Sequence, residues 1–215
     1  MNPMTGAAFI LIAYLIGSLS FAVMVSRAFG LPDPHTYGSG NPGATNVLRT
    51  GKTLAALLTL IGDAGKGWLA VFLAARYAPD FSVDAMGVSA CAVAVFLGHL
   101  FPVFLRFKGG KGVSTAGGIL LAVDPWLGAA ALVTWITIAL FFRYASLASI
   151  VAAIFVPLYA FFLLGASAAL PAVILMSALL VWRHKSNILK LAAGNETRIW
   201  EGWNSATADR DRGNP

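Results

Sequence analysis

The chain has 215 residues, of which 58% are hydrophobic and only 11% charged, and its mean hydropathy is +0.77. Soluble domains carry roughly 25% charged residues, so this balance excludes one and reads as a membrane protein. A net charge of +6 and a pI near 9.8 would suit nucleic acid, but the basic residues stand at the ends of apolar segments, where they set membrane topology instead.

The first residues, Met1 to Met4, hold no Lys or Arg, so they lack the charged start of a signal peptide, and the first apolar run is expected to be a retained helix. Seven apolar segments follow in order: residues 4–25, 54–75, 85–97, 113–123, 126–142, 146–164 and 168–182. A crossing needs about 20 residues. The first two segments fit, and the third does if it runs on toward Pro102. The sixth and seventh form one long run split at Gly165-Ala166-Ser167. The fourth is short for a span, at about 1.5 Å per residue. Charge decides its fate. Thirteen of the fifteen Lys and Arg residues follow segments one, three, five and seven, whereas the other connections hold Arg76, Asp80, Asp84 and Asp124 and no lysine. If the basic connections face the cytoplasm, the short segment must cross. The predicted fold is therefore an all-α integral membrane protein with seven transmembrane helices. Its N-terminus is outside and its C-terminus cytoplasmic, and one short helix follows a glycine/lysine loop. Residues 1–198 form a single domain and 199–215 a polar, flexible tail. The odd number of crossings and the lack of an internal repeat argue against an inverted-repeat transporter.

The connections carry the chemistry. In the first, Gly38-Ser39-Gly40-Asn41-Pro42-Gly43-Ala44-Thr45-Asn46-Val47-Leu48-Arg49 combines a bendable backbone with polar side chains, and Arg49 offers a two-pronged donor for phosphate. The later Gly51-Lys52-Thr53 resembles the end of a nucleotide P-loop, but Asn46 stands where its first glycine is required and no strand precedes it. Within the second segment Asp63 and Lys66 share one helix face. Two readings fit them: a mutually neutralising brace, or a reach into a polar site. Gly62, Gly65 and Gly67 beside them suggest close helix packing. Cys91 lies in an apolar run and implies neither a disulfide nor a thiolate metal site.

The stretch from Gly98 to Thr115 is the most informative. Lys108-Gly109-Gly110-Lys111-Gly112 places two cations among three glycines, so backbone N–H groups can converge on a ligand, and Ser114 or Thr115 can cap the helix that begins at Val113. We read it as a phosphate cradle at a membrane surface; a basic loop anchoring a helix pair to anionic lipid is the plainer alternative. The next basic connection holds Ser146 and Ser149, which can serve a site or cap a helix. The last runs from Arg183 and, if helical, puts His184, Asn187 and Leu191 on one face. His184 is the titrating group expected nearest a polar site.

Such a surplus of cations and backbone donors suits a ligand with more than one phosphate group. No His, Cys or Glu cluster has zinc spacing, and no GxSxG elbow is present. The His-x4-Asp arrangement of common glycerolipid acyltransferases is also missing, because Gly40, Phe104 and Leu189 stand five residues after His35, His99 and His184. An enzyme built this way works by electrostatic stabilisation and positioning rather than a protein nucleophile.

Three stretches together resemble the signature motifs of the bacterial acyl-phosphate:glycerol-3-phosphate acyltransferases: 38–46, 98–112 and 184–196. Lys190 departs from the pattern, where the family usually has Arg. The resemblance implies a seven-helix enzyme of the bacterial inner membrane with its site on the cytoplasmic face. It would transfer an acyl group from acyl phosphate to the 1-hydroxyl of glycerol 3-phosphate, giving lysophosphatidic acid and inorganic phosphate in phospholipid biosynthesis. It implies catalytic roles for Ser39, Asn41, Lys108, His184 and Asn187. It implies substrate or phosphate binding by Gly43, Asn46, Arg49, His99, Gly109, Gly110, Lys111, Gly112, Ser146, Gly194 and Glu196. No cofactor, metal or nucleic acid is expected. The expected partners are acyl phosphate, glycerol 3-phosphate, membrane lipid and the enzyme that forms acyl phosphate. The proton of the attacking hydroxyl has two candidate acceptors, His184 and the phosphate of the donor itself.

Overall fold

The computed structural model describes residues 3–199, and their regular structure is entirely helical. Ten helices follow in order: α1 (Pro3–Gly17), α2 (Phe21–Ala28), α3 (Ala44–Leu48), α4 (Thr53–Tyr77), α5 (Ala85–Leu100), α6 (Val113–Val123), α7 (Pro125–Phe142), α8 (Ala145–Leu164), α9 (Ala169–Arg183) and α10 (Lys185–Ala192). Among the described residues five stretches are long and apolar enough to cross a membrane: Met4–Ala28, Thr53–Tyr77, Ala85–Leu105, Pro125–Phe142 and Ala145–Leu164. The shorter apolar helices α6 and α9 pack among them. The chain is thus a multi-pass membrane protein, with backbone polar groups satisfied inside helices. The tail expected at 199–215 lies outside the described residues, apart from Ile199, whose N–H donates to the Arg143 carbonyl at 2.8 Å.

Small residues draw the helices together. A Cβ on Gly118 of α6 would collide with the Ala64 carbonyl of α4, and one on Gly67 of α4 with the Thr115 carbonyl of α6. Gly17 of α1 and Gly98 of α5 meet the facing backbone in the same way, at Val95 and Tyr14. With no hydrophobic force between helices in lipid, such backbone contact supplies the attraction through dispersion. Gly62 also packs closely, against the Phe21 ring, but Gly65 faces open space, contrary to the close packing expected of it.

The first apolar run is not one helix. It breaks at Ser18-Leu19-Ser20, where serine hydroxyls bond the neighbouring backbone. The Ser18 hydroxyl donates to the Tyr14 carbonyl at 2.9 Å, and Ser20 caps α2. The break leaves the Leu19 carbonyl free to accept from Lys66 Nζ at 2.5 Å. Lys66 also pairs with Asp63 at 2.8 Å, and both side chains are about fully buried. The Asp63 carboxylate lies 3.6 Å from His99 Nδ1 on α5. The pair is therefore a brace between the α1–α2 break, α4 and α5, which offsets charges that are costly at this depth.

One further expectation is corrected. The residue capping α6 is Gly112, at φ +88°, and no side chain caps it; the Thr115 hydroxyl is buried inside. That left-handed turn is glycine's to make. The seventh segment forms α9 as expected, and the connection after it is helical as α10, the two helices meeting at His184, where φ is −93° and ψ 8°.

Candidate active site

The loop between α5 and α6 is held by its carbonyls. Arg183, the last residue of α9, donates to the Gly109 carbonyl at 2.9 Å and twice to the Gly110 carbonyl, at 3.0 and 3.2 Å. Its guanidinium also lies over the Phe101 ring, 5.7 Å from the centroid. From the other side, His35 Nε2 meets the Lys108 carbonyl at 3.1 Å. The Gly110 N–H turns inward to the His99 carbonyl at 3.2 Å. Among the described residues nothing accepts from the N–H groups of Gly109, Lys111 or Gly112. Three backbone donors and the Lys108 ammonium therefore remain for an anion. The glycines are needed for fit. A Cβ on Gly109 would strike the His99 carbonyl, one on Gly110 the His99 ring, and one on Gly112 the Phe96 ring.

Lys111 reaches away from Lys108. Its ammonium donates to Asn187 Oδ1 on α10. Asn187 in turn donates from Nδ2 to Glu196 Oε1 at 2.7 Å, and the same carboxylate oxygen accepts from the Ser146 hydroxyl at 2.7 Å. This relay, Lys111 to Asn187 to Glu196 to Ser146, ties together three segments that are distant in sequence: the glycine loop, the start of α8 and the stretch from α10 to Glu196. Gly194 makes it possible. At φ +72° it ends α10, the Asn195 N–H returns to the Lys190 carbonyl at 2.8 Å, and the chain turns Glu196 back toward Asn187. Ser146 and Ser149 do not cap α8; the Ser149 hydroxyl donates to the Ala145 carbonyl and accepts from Trp135 Nε1.

His184 lies 2% exposed beside this relay. Nδ1 donates to the Leu180 carbonyl at 2.8 Å, so Nε2 carries the lone pair. Burial pushes the imidazole down to about 4, assisted by the Lys111 and Arg183 charges and opposed by the Leu180 bond and Glu196. It is neutral at physiological pH. Burial also lowers the Lys111 ammonium to about 8, with Glu196 opposing and Lys190, Arg183 and Arg49 reinforcing.

The first connection forms a separate wall. Asn46 is buried and its side chain is taken up within the loop. Oδ1 accepts from the Ser39 N–H at 2.9 Å, and Nδ2 donates to the Pro34 and Tyr37 carbonyls at 2.9 and 3.2 Å. Gly43 caps α3, and Arg49 follows at its far end. A Cβ on Gly43 would sit 3.1 Å from Asn41 Nδ2, and one on Gly38 3.0 Å from Arg49 Cδ. The Pro42 carbonyl lies 3.1 Å from the Cβ position of Gly110, so this wall touches the glycine loop. Among the described residues the Ser39 hydroxyl, Asn41 amide, Arg49 guanidinium and Lys108 ammonium make no hydrogen bond or ion pair. They are the groups left to act on a ligand. His99, by contrast, is buried against Asp63 and supports the loop from beneath.

Arg183 and His35 are the residues that the sequence reading passed over. Each holds a carbonyl some 73 residues away, a relation without a local spacing. The one available signal was a basic residue next to His184 at the close of an apolar segment. Among the described residues no group of His, Cys, Asp and Glu has the geometry to hold a metal ion.

Known proteins share this arrangement. Residues 7–194 match the family model described as glycerol-3-phosphate acyltransferase. The glycerol-3-phosphate acyltransferase of Cupriavidus necator is 61% identical over 198 residues, which cover 92% of this chain and 98% of that protein. That of Nitrosospira multiformis is 61% identical over 196 residues, covering 91% and 97%. Two crystal structures of PlsY, an integral membrane glycerol 3-phosphate acyltransferase, superpose at 36% identity over 90% of this chain and 95% of theirs. The glycerol 3-phosphate form gives a TM-score of 0.84 and the lysophosphatidic acid form 0.83. The chain belongs to the glycerol-3-phosphate acyltransferase family and is an acyltransferase of the PlsY type.

Proposed function

We propose that this acyltransferase moves a fatty acyl group from acyl phosphate to the 1-hydroxyl of glycerol 3-phosphate, releasing lysophosphatidic acid and inorganic phosphate. The observation that carries the reading is the glycine loop, whose carbonyls are held away while N–H groups and the Lys108 ammonium stay free, beside a relay that holds the second lysine, Lys111, on Asn187. Acyl phosphate is a mixed anhydride that brings its own leaving group, so positioning and charge neutralisation suffice.

Lys108, Lys111 and the free N–H groups of Gly109, Lys111 and Gly112 receive the donor phosphate. Arg49 holds the phosphate of glycerol 3-phosphate. Ser39, Asn41 and Asn187 orient the 1-hydroxyl and the developing oxyanion. The hydroxyl oxygen bonds to the acyl carbon, the bond from that carbon to the phosphate oxygen breaks, and the proton leaves with the phosphate. Nε2 of His184 accepts a hydrogen bond from the hydroxyl and aims it. An imidazole held near 4 is too weak a base to keep the proton at neutral pH. A shallow, open groove of about 510 Å³ between α8 and α9 is lined by Ile154, Pro157, Ile174, Val181 and Trp182, the last of which precedes Arg183 and His184 in the chain. It suits the acyl chain.

Residues 1–198 act as one membrane domain with seven crossings, α6 and α9 being the two short ones. The basic connections and the site face the cytoplasm of a bacterial inner membrane, where the enzyme that forms acyl phosphate supplies the donor. The test mixes purified protein with labelled glycerol 3-phosphate and, separately, palmitoyl phosphate, palmitoyl-CoA or palmitoyl-carrier protein. Lysophosphatidic acid from palmitoyl phosphate alone, abolished by Lys108→Ala, is the expected result. Product from a thioester instead overturns the donor assignment, and no product from any donor in folded protein overturns the reaction.

A further inference from the structure

His35 belongs to none of the groups assigned above, yet it connects the two halves of the site. It stands in Leu31-Pro32-Asp33-Pro34-His35-Thr36-Tyr37, a rigid segment for several reasons. Prolines fix its backbone on either side of Asp33. The Asp33 carbonyl accepts from the Thr36 N–H at 2.9 Å and the Thr36 hydroxyl at 2.8 Å. The Pro34 carbonyl is bound by the buried Asn46 amide. The Asp33 carboxylate takes the His35 backbone N–H at 2.9 Å and His35 Nδ1 at 2.7 Å from one oxygen. The backbone bond, with the ring bond and the charges of His35 and Arg27 reinforcing, holds that carboxyl below its ordinary range against a smaller effect of burial. The ring is thereby aimed, with Nε2 at the Lys108 carbonyl.

Both partners of the ring, a carboxylate and a carbonyl, can only accept. Making both bonds at once requires a donor at each end of the ring. The bond to Lys108 falls on the carbonyl at the entrance to the glycine loop. Lys108 has an exposed side chain, and its own N–H goes to the Leu105 carbonyl at 3.1 Å. The preceding residues, Arg106 and Phe107, lie at φ +50° and +62°, a conformation that side chains other than glycine rarely adopt. A strained entry needs an external hold, and His35 supplies one where Arg183 does not reach.

We propose that His35 is a positioning residue of the phosphate-binding loop: with Asp33 behind it, it pins the Lys108 carbonyl and so couples the glycerol-phosphate wall to the donor cradle. The proposal rests on the reading of the glycine loop as a phosphate site. Its consequence is that order in the first connection, imposed by Asn46 and by a ligand on Arg49, is transmitted to Lys108.

The test uses inorganic phosphate as the probe, so it needs no acyl donor. Thermal midpoints of the purified full-length protein are measured against phosphate concentration for wild type, His35→Ala and His35→Arg. The ring is partly exposed, so both variants should fold with nearly unchanged midpoints in the absence of phosphate. Alanine is expected to raise the phosphate concentration needed for half the midpoint shift by about tenfold. Arginine, which only donates, is expected to restore it. In steady state, alanine should raise KM with a smaller change in kcat. An alanine variant that titrates like wild type overturns the clamp alone. So does an arginine variant no better than alanine. A wild type that ignores phosphate overturns the clamp together with the phosphate reading of the loop.

Discussion

Replacing Lys111 by methionine should make the ligand-free enzyme more stable while removing its activity. Burial holds this ammonium at about 8 against 10.5 for a free lysine. At about 1.4 kcal/mol per pH unit, the folded state carries a charge that costs about 3 kcal/mol to keep at pH 7. Methionine fills the same volume without the charge. It forfeits the hydrogen bond to Asn187, worth about 1 kcal/mol. The net gain of about 2 kcal/mol corresponds to a rise of roughly 4–8 °C in the thermal midpoint for a chain of this size. The pH dependence has a definite sign. The folded value lies below the unfolded one, so the cost is fully present below pH 8. As pH rises toward 10.5 the native ammonium releases its proton while the unfolded one keeps it, wild-type stability rises, and the gap closes. Saturating inorganic phosphate should also narrow the gap, because it stabilises only the protein that binds it. Tryptophan fluorescence in detergent, recorded on heating at pH 7 and pH 10, measures both. A variant less stable than wild type at pH 7, or a gap that persists at pH 10, would refute the reasoning.

Three other expectations follow from the same geometry. His184→Gln should lower turnover by less than about tenfold, since an aiming group rather than a base is being altered; steady-state loss of 100-fold or more would restore His184 as the proton acceptor. Glu196→Ala should lower kcat by about tenfold or more by freeing Asn187 and Ser146 together, and Glu196→Gln by less, because an amide oxygen still accepts both bonds; equal losses in the two variants would show that charge matters more than orientation. Asp63→Ala should lose about 3–5 kcal/mol by stranding Lys66, and Asp63→Leu combined with Lys66→Met should recover most of it; thermal midpoints of the three proteins decide the matter, and a silent Asp63→Ala would remove the brace from the account.

The helices were legible because hydropathy is a sum over some 20 residues and survives local detail. The break at Ser18 was not, because Leu19 keeps the run apolar while the hydroxyls on either side redirect the backbone. The Asp63–Lys66 contact could be read from its spacing, whereas the approach of His99 from α5 could not. In the site, the glycine and lysine pattern marked the loop directly, since close approach demands those residue types. What remained hidden was the scaffold: Asn46 was legible as a polar group in a loop, but not that its whole amide is engaged with Pro34, Tyr37 and Ser39. Arg183 showed itself as a topological charge, and only the fold reveals it holding two carbonyls.

The relay that ends on Glu196 bears on how the enzyme is born. Its members enter the membrane in the order Lys111, Ser146, Asn187, Glu196, and the carboxylate that joins Ser146 to Asn187 arrives last. A nascent chain that has inserted α1 to α8 already owns the glycine loop and Ser146, but it has neither Arg183 to grip the loop nor Glu196 to close the relay. The bonds that close the site form when α10 docks, so a chain interrupted before it is expected to hold the loop and Ser146 without the contacts that join them.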